Sequence, residues 1–408
     1  MFELWARIFS RFETVCADRS RGYATRNARC EANTVSASVS VRSLRLRVGL
    51  VAFALTSVWP LGMPRADEGI PPNPIVSRSK HVVGLSSLPF SDARKVNDSD
   101  YASAWTAGRP VPEKPAWVAI DVGVGPHALL LNWCSSGSFN YEETDYGSPG
   151  AYRIETSADS TDGANGSWRL AADVVVVSVH GQAKTFEFTG QRWVKFVVTR
   201  TPDPSPNGVQ VSEIDLHDVS SGAKDTWFFL GDSITAMAFS RTPEHQPSFA
   251  AWVQKRHPGY FPAMIDGGTG GDKSDQGAAH IDDWLAKNRD VHFWAVAYGT
   301  NDAAGNTRDT MHFRANMQRI VERIREAGRV PILASIPFAT DGQHREIPEF
   351  NRVIEELRSI YGLPRGPDLY AWFLAHPDQL RDGVHPTDQG VVAINRLWAE
   401  AVDPLYPH

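Results

Sequence analysis

The stretch Trp227-Phe228-Phe229-Leu230-Gly231-Asp232-Ser233-Ile234 runs four large apolar residues straight into a Gly-Asp-Ser turn. A continuous apolar run bounded by glycine suits a strand covered on both faces. Open α/β sheets keep their sites at the carboxyl ends of such strands, so this reading places Ser233 at a sheet edge, presented by a tight turn. Asp232 and Ser233 are also what commonly caps a helix that follows a strand. The rest of the chain decides between a reactive group and a cap.

At 408 residues the chain exceeds one ordinary domain, and two or three are expected at roughly 100–200 residues each. The formal charge of −6 and the lack of any dense Lys/Arg block argue against a nucleic-acid surface, whose signature is a basic stripe. Trp and Phe are plentiful and charge is moderate, so most of the chain is expected to be globular. Residues 1–40 hold scattered arginines, Cys16 and Cys30 without apolar periodicity, and read as a disordered or mis-annotated extension. Residues 41–66 pair a basic head, Val41 to Arg47, with an apolar run, Val48 to Leu61, the pattern of a signal peptide. Pro60 and Pro64 close that run before it reaches membrane-spanning length. Cleavage is expected after Ala66 and initiation near Val41, giving a secreted or periplasmic protein without a stable membrane span. Cys134 is then the remaining cysteine; within the apolar stretch Leu129 to Trp133 it reads as core.

Residues 67–80, rich in Pro and Ser, read as a linker. Residues 81–220 give short β-type runs separated by turn chemistry: 117–121, 128–133, 152–156, 173–179, 185–188, 193–199 and 209–216. Seven short strands without helical periodicity indicate a β-sandwich. In order, Asn97 to Trp105, Trp117 to Gly123, Tyr152 to Asp159, Trp168, Arg192 to Phe196 and Val211 to Ile214 make this segment resemble the discoidin-like, galactose-binding-like jelly rolls. That resemblance implies a carbohydrate-binding-like domain, and a structural calcium ion held by Asp98, Asp100, Ser103 and Glu213. Oxygen ligands converging from a turn and a neighbouring strand are what a hard cation requires; the same residues also read as a solvated Asx turn beside an ordinary glutamate.

After a short hinge at residues 222–226 the pattern changes. Apolar strands at 228–230, 261–265, 291–298 and 330–336 alternate with helical stretches at 278–287, 310–326 and 347–360, where apolar residues recur at three-and-four spacing. Such alternation predicts a doubly wound parallel sheet. Three segments then face the same edge as Ser233: Asp266 to Ser274, Tyr298-Gly299-Thr300-Asn301-Asp302 and Asp382-Gly383-Val384-His385-Pro386. Gly271 can bring a bare N–H close to a ligand. Asn301 offers a neutral donor, His385 is the natural base for Ser233, and Asp382 can orient its imidazole.

Gly231-Asp232-Ser233, Gly271, Gly299-Thr300-Asn301-Asp302 and Asp382-x-x-His385 resemble, in order, the blocks of the SGNH, or GDSL-type, hydrolases across residues 225–408. Asp266 stands where that family often has Asn. The resemblance implies a three-layer α/β/α, flavodoxin-like domain with a Ser233-His385-Asp382 triad. It also implies an oxyanion hole from the N–H groups of Ser233 and Gly271 and the Asn301 amide, with no cofactor for catalysis. Asp272, Lys273 and Asp302 read as structural. A jelly roll beside an esterase, behind an export signal, points to acetyl esters on a polysaccharide. Lipase, thioesterase and acyltransferase chemistries of the same fold are the alternatives, together with a non-catalytic carbohydrate-binding protein. A phosphate-binding loop at 267–274 is disfavoured by Asp272, whose charge would repel phosphate, and by its place after the second strand.

Overall fold

A computed structural model describes residues 69–407 except 87, 89–90, 102, 135–146, 176, 178–180, 202–207 and 241–247. The expected extension at 1–40, the signal peptide at 41–66 and the polar turn from Ser240 to His245 lie wholly or largely outside the described residues. Among the described residues, no helix is long and apolar enough to cross a membrane.

The N-terminal part is antiparallel β. Its strands are β1 (Val82–Leu85), β2 (Trp105–Thr106), β3 (Ala116–Asp121), β4 (Ala128–Cys134), β5 (Ala151–Ser157), β6 (Arg169–Val174), β7 (Gly181–Glu187), β8 (Trp193–Arg200), β9 (Gln210–Val211) and β10 (Glu213–Asp218). They form a five-stranded sheet, β1-β3-β8-β5-β6, a three-stranded sheet, β10-β4-β7, and the small pair β2-β9. Between the two larger sheets lies a core that includes Val118, Leu129, Leu131, Trp133, Tyr152, Phe196, Ile214 and Leu216. The run expected at 209–216 is broken into β9 and β10 around Ser212, whose N–H donates to Cys134 O at 2.9 Å.

The C-terminal part is a three-layer α/β/α fold. Strands β11 (Thr226–Gly231), β12 (Ala263–Gly268), β13 (Phe293–Ala297) and β14 (Val330–Leu333) pair in parallel in the order β12-β11-β13-β14. In chain order this is 2-1-3-4, the beginning of the flavodoxin-type order. The helices are α1 (Ser233–Ser240), α2 (Phe249–Arg256), α3 (Ser274–Lys287), α4 (Thr310–Glu326), α5 (Ile347–Tyr361), α6 (Leu369–Ala375) and α7 (Asp388–Val402). One face of the sheet packs on α3, α4 and α5 through Trp284, Phe313 and Phe350, and the other on α1, α2, α6 and α7 through Phe239, Phe249, Phe373 and Trp398. Strand β11 feeds both layers, because successive side chains point to opposite faces. Phe228 and Leu230 enter the first core and Trp227 and Phe229 the second.

From residue 64 onward the chain is one compact unit, and strand periodicity shows how its β and α/β parts join. On β4, Leu129, Leu131 and Trp133 face the sandwich core, whereas Leu130 and Cys134 join the cores of the α/β part. Asn132, on the same face as Leu130, donates from Nδ2 to Met264 O at 3.2 Å. On β10, His217 Nε2 lies 2.8 Å from Asn132 Oδ1, and its ring packs 6.0 Å from Phe261. Burial holds the His217 pKa down at about 4. The three-stranded sheet is thus covered on both faces.

Residues 69–80, read above as a linker, are packed in place. Asn73 Nδ2 donates to Phe261 O at 2.9 Å, Val76 N to Leu216 O at 2.7 Å, and Ile75 bridges His217. Arg78 lies 2.6 Å from Glu213 and 2.7 Å from Asp215, both buried. Side-chain amides and main-chain pairing to residues over a hundred positions away give this Pro/Ser-rich segment the order that its composition does not announce.

Asp225, at the entry to β11, is buried, and its Oδ1 accepts from Trp227 Nε1 at 2.8 Å and Tyr406 Oη at 2.9 Å. Burial raises its pKa from 3.8 to about 7, against those two hydrogen bonds. Between these values the folded protein holds a proton that the unfolded chain has lost. Stability from this group is therefore fully present below about pH 4 and declines as pH rises to about 7. The decline is by about 1.4 kcal/mol per pH unit at most. Asp225→Asn should flatten the fall in stability between pH 5 and 7.5 and gain on the wild type toward the alkaline end, as urea midpoints at several pH values would report.

Candidate active site

Strand β11 ends at Gly231 because the chain must turn sharply under a helix. A Cβ on Gly231 would lie 2.0 Å from Thr235 Oγ1 and 2.8 Å from Ala297 O, so glycine is what allows α1 to start directly against the sheet. Asp232 Oδ1 accepts from Ile234 N at 2.9 Å, and Asp232 O accepts from Ala236 N at 3.0 Å, which fixes the first turn of α1. Asp232 is therefore a helix cap, and the same turn presents Ser233 with its N–H at a helix N-terminus, where backbone donors lack intrahelical acceptors.

Ser233 Oγ lies 2.8 Å from His385 Nε2, and His385 Nδ1 lies 2.8 Å from Asp382 Oδ2. Asp382 Oδ1 also accepts from the N–H groups of His385, at 2.7 Å, and Val384, at 3.0 Å. The imidazole is thus anchored through its own main chain as well as its ring. Burial works to raise the Asp382 carboxyl, but the hydrogen bonds from His385 and Val384 outweigh it and hold its pKa at about 2. With its side chain 50 % exposed, Asp382 is an ionised acceptor facing water on one side and the ring on the other.

The two remaining expected donors stand on the loops after β12 and β13, on the same edge. Gly271 has φ +81°, a left-handed conformation that disfavours side chains, and a Cβ there would meet nothing within 4 Å. Conformation, rather than space, requires glycine at this point. Asn301 Nδ2 donates one hydrogen to Asp272 O at 2.9 Å, which ties the β13 loop to the Gly271 loop and orients the amide, its second N–H having no partner among the described residues. Ser274 donates to Asp302 through N at 3.0 Å and Oγ at 2.5 Å, while Asn316 Nδ2 donates to Ser274 Oγ at 3.1 Å. Asp302 thus holds the start of α3, the structural part read for it above. Asp266 Oδ1 accepts from Gly268 N at 2.8 Å and stiffens the turn leading to Gly271. Beneath the serine, Asp232 is buried and hydrogen-bonded by the Thr300 side chain; burial carries its pKa up to about 6.

The structure places the four residues read as a calcium set differently from a ligand cage. Ser103 Oγ donates to Asp98 Oδ2 at 2.7 Å, and Asp98 Oδ1 accepts from Asp100 N at 2.9 Å, the pattern of an Asx turn. Glu213 is occupied by the Arg78 guanidinium, and burial raises its pKa to about 8 in spite of that cation. Among the described residues no three His, Cys, Asp or Glu side chains are grouped so as to hold a metal ion. These residues do not fit a calcium ion, because a guanidinium already sits against the acid on the strand. Cys134 is buried, and burial pushes its thiol well above the ordinary range, as suits a core residue.

The family model of the GDSL-like lipases and acylhydrolases matches residues 229–393, a span that holds Ser233, Gly271, Asn301, Asp382 and His385. Among solved structures, a lipase/acylhydrolase from Enterococcus faecalis is 22% identical, over 44% of this chain and 95% of that one, with a TM-score of 0.38. An acetylxylan esterase from Geobacillus stearothermophilus is 18% identical, over 43% and 93%, with a TM-score of 0.36. A mutant of chitosan-binding module 1, derived from a Paenibacillus chitosanase/glucanase, is 17% identical, over 35% and 97%, with a TM-score of 0.28. No curated protein matches the chain.

The orientation of Asn301 generates a prediction. If its second N–H meets a developing oxyanion, Asn301→Ala should lower kcat on an ester by roughly 10²–10³-fold with little change in KM. Steady-state kinetics on a variant with unchanged thermal unfolding would check it, and an unchanged kcat would leave Asn301 as a loop tie.

Proposed function

We propose that this protein, whose C-terminal region is a GDSL-like lipase/acylhydrolase domain, is an exported serine esterase that removes short acyl groups, chiefly acetyl, from carbohydrate. The observation that carries the reading is the unbroken relay from Ser233 Oγ through both nitrogens of His385 to Asp382. A serine hydroxyl is a weak nucleophile until a base takes its proton. In this reading His385 Nε2 accepts that proton as Oγ attacks the ester carbonyl, and Asp382 stabilises the imidazolium that results. The Ser233 and Gly271 N–H groups and the Asn301 amide meet the oxyanion of the tetrahedral intermediate. Its collapse expels the alcohol, which takes the proton from His385; water, activated by the same imidazole, then frees the acid and restores the serine.

Preference for short acyl groups rests on the spans between Ser233, Gly271 and Asn301, which α1, α2, β12, α3 and β13 account for among the described residues. Each methylene of an acyl chain needs apolar wall to gain its ~0.8 kcal/mol, and among those residues no further helix stands between these points to supply one. In the sandwich Trp105, Trp133 and Trp193 belong to the core, whereas Trp117 and Trp168 are part-exposed on either side of Lys195, whose Nζ lies 4.5 and 3.5 Å from their ring centroids. Those two rings are the aromatic surface that a discoidin-like module would turn toward glycan.

The test is a series of p-nitrophenyl esters assayed below their micelle concentrations. The expected result is that kcat/KM falls from acetyl to butyryl to octanoyl, and that Ser233→Ala abolishes turnover by a factor of order 10⁴–10⁶. A maximum at octanoyl would move the protein to the lipases. Full activity in a folded Ser233→Ala protein would remove the serine mechanism.

A further inference from the structure

Beside the triad, on the loop between β14 and α5, lies a cleft of about 390 Å³ lined by Phe338, Thr340, His344, Arg345 and Tyr370 among others. Its size falls within the usual range for small-molecule sites. It adjoins the catalytic loop directly: Thr340 N donates to Gly383 O at 2.7 Å, and Gly383 lies between Asp382 and His385. A Cβ on Gly383 would meet Thr340 Oγ1 at 2.9 Å and Asp341 N at 3.1 Å. The other end of the loop is tied to the segment that follows Asn301, since Asn306 N donates to Gln343 O at 2.9 Å and Arg345 N to Asn306 Oδ1 at 3.3 Å.

The chemistry of the lining is specific. Phe338 and Tyr370 pack edge to face, with centroids 5.8 Å apart at 85°. The charges around them are paired off: Asp341 holds His344 Nδ1 at 2.8 Å, Glu346 takes Arg308 at 3.0 Å, and Glu349 takes Arg352 at 2.5 Å. Arg345 has no such partner among the described residues. His344, fixed through Nδ1, leaves Nε2 without a partner among the described residues. A second guanidinium without an acid partner among the described residues, Arg381, precedes Asp382, and its Nη2 contacts Met237 Sδ at 3.4 Å. An unpaired guanidinium has a fork that matches a carboxylate, and an aromatic wall beside it suits the face of a sugar ring.

Resting on the esterase reading above, we infer that this cleft is the subsite for the alcohol side of the ester, and that the sugar it takes carries a carboxylate. The substrate class is an acetylated uronic-acid polymer. Arg345 holds the carboxylate, His344 Nε2 bonds a sugar hydroxyl, and Phe338 and Tyr370 support the ring, while Arg381 meets the neighbouring unit. A protein of net charge −6 would otherwise repel such a polymer, so local cations at the cleft are what admit it.

The experiment compares acetylated polygalacturonate with acetylated mannan, a neutral polymer, for the wild type and Arg345→Gln. The expected result is a wild-type preference for the acidic polymer and a fall in the acidic-to-neutral ratio of kcat/KM of roughly tenfold to a hundredfold in the variant, carried by KM. A ratio unaffected by the substitution, or a wild-type preference for mannan, would overturn the inference. Binding separates this from the esterase reading. Full-length Ser233→Ala protein titrated calorimetrically with a galacturonic acid oligomer should bind it, and Ser233→Ala/Arg345→Gln should lose that binding at least tenfold. Absence of binding in the first protein overturns the acidic-sugar subsite whatever the wild type does to p-nitrophenyl acetate. Binding without turnover of that ester supports the subsite and counts against the esterase reading alone.

Discussion

Strand β11 has no face turned to water, and the geometry of the site depends on that. Trp227 stacks on Phe293 at 4.4 Å, Phe228 on Trp294 at 4.8 Å and Phe229 on Phe239 at 3.8 Å, so the strand is gripped from both layers and by its neighbour β13. Paired in parallel with β12 on one side and β13 on the other, it brings three chain exits to one edge in fixed register. Gly231 sits opposite Gly268 and Ala297, so the serine turn, the Gly271 loop and the Asn301 loop leave the sheet side by side. His385 and Asp382 come from the loop that α7 follows. Because α7 packs through Ile394 and Trp398 on the same core as Trp227 and Phe229, the strand that leads into Ser233 and the helix that follows His385 share one packing surface.

The carboxylates of the site divide by environment. Asp382 is held low by hydrogen bonds to its charged form, while Asp232 and Asp302 are raised by burial. A carboxylate that must orient an imidazolium works best ionised and hydrogen-bonded, and Asp382 is both. Asp232 and Asp302 instead brace turns: one starts α1, the other starts α3. The two readings of the Gly-Asp-Ser turn, cap and reactive group, were therefore compatible. The aspartate caps α1 while Ser233 Oγ lies 2.8 Å from His385 Nε2, and each depends on the helix beginning where it does.

Local pattern was enough to place the elements that carry the site. The helix at Thr310–Glu326 coincides with its expected bounds, because Phe313, Met317, Ile320, Val321 and Ile324 form a single buried stripe. Helices α2 and α6 span only about two turns each, too short for periodicity to separate them from loop. Helix α7 begins only three residues after His385, so the charged turn ahead of it, and not its own stripe, dominates the local pattern. The packed segment 69–80 was missed for a different reason, since its order comes from residues such as Asp225, Phe261 and Leu216, which lie far away in the chain. From within that same segment Arg78 pairs with Glu213, the acid that spacing alone would offer to a cation. The cleft at Phe338 and Arg345 had no motif to announce it, because loop conformation, and not spacing, brings its walls together.

The layer between β4, β10 and the α/β part has a consequence for how such a chain can be rearranged. Leu130, Ala183 and Cys134 belong to the cores on the far side of their own sheet, and Gln182 Nε2 donates to Lys287 O at 2.7 Å. Two sequences that look like interchangeable parts are thus welded along a face rather than joined at a point. Exchanging the β-sandwich for another by recombination at residues 222–226 would leave Ile265 and Phe261 against side chains that were never shaped to them, and Asn73 and Arg78 without their counterparts. Lineages that carry this pairing would be expected to change both halves together, so that the junction drifts as a unit while exposed loops away from it vary more freely.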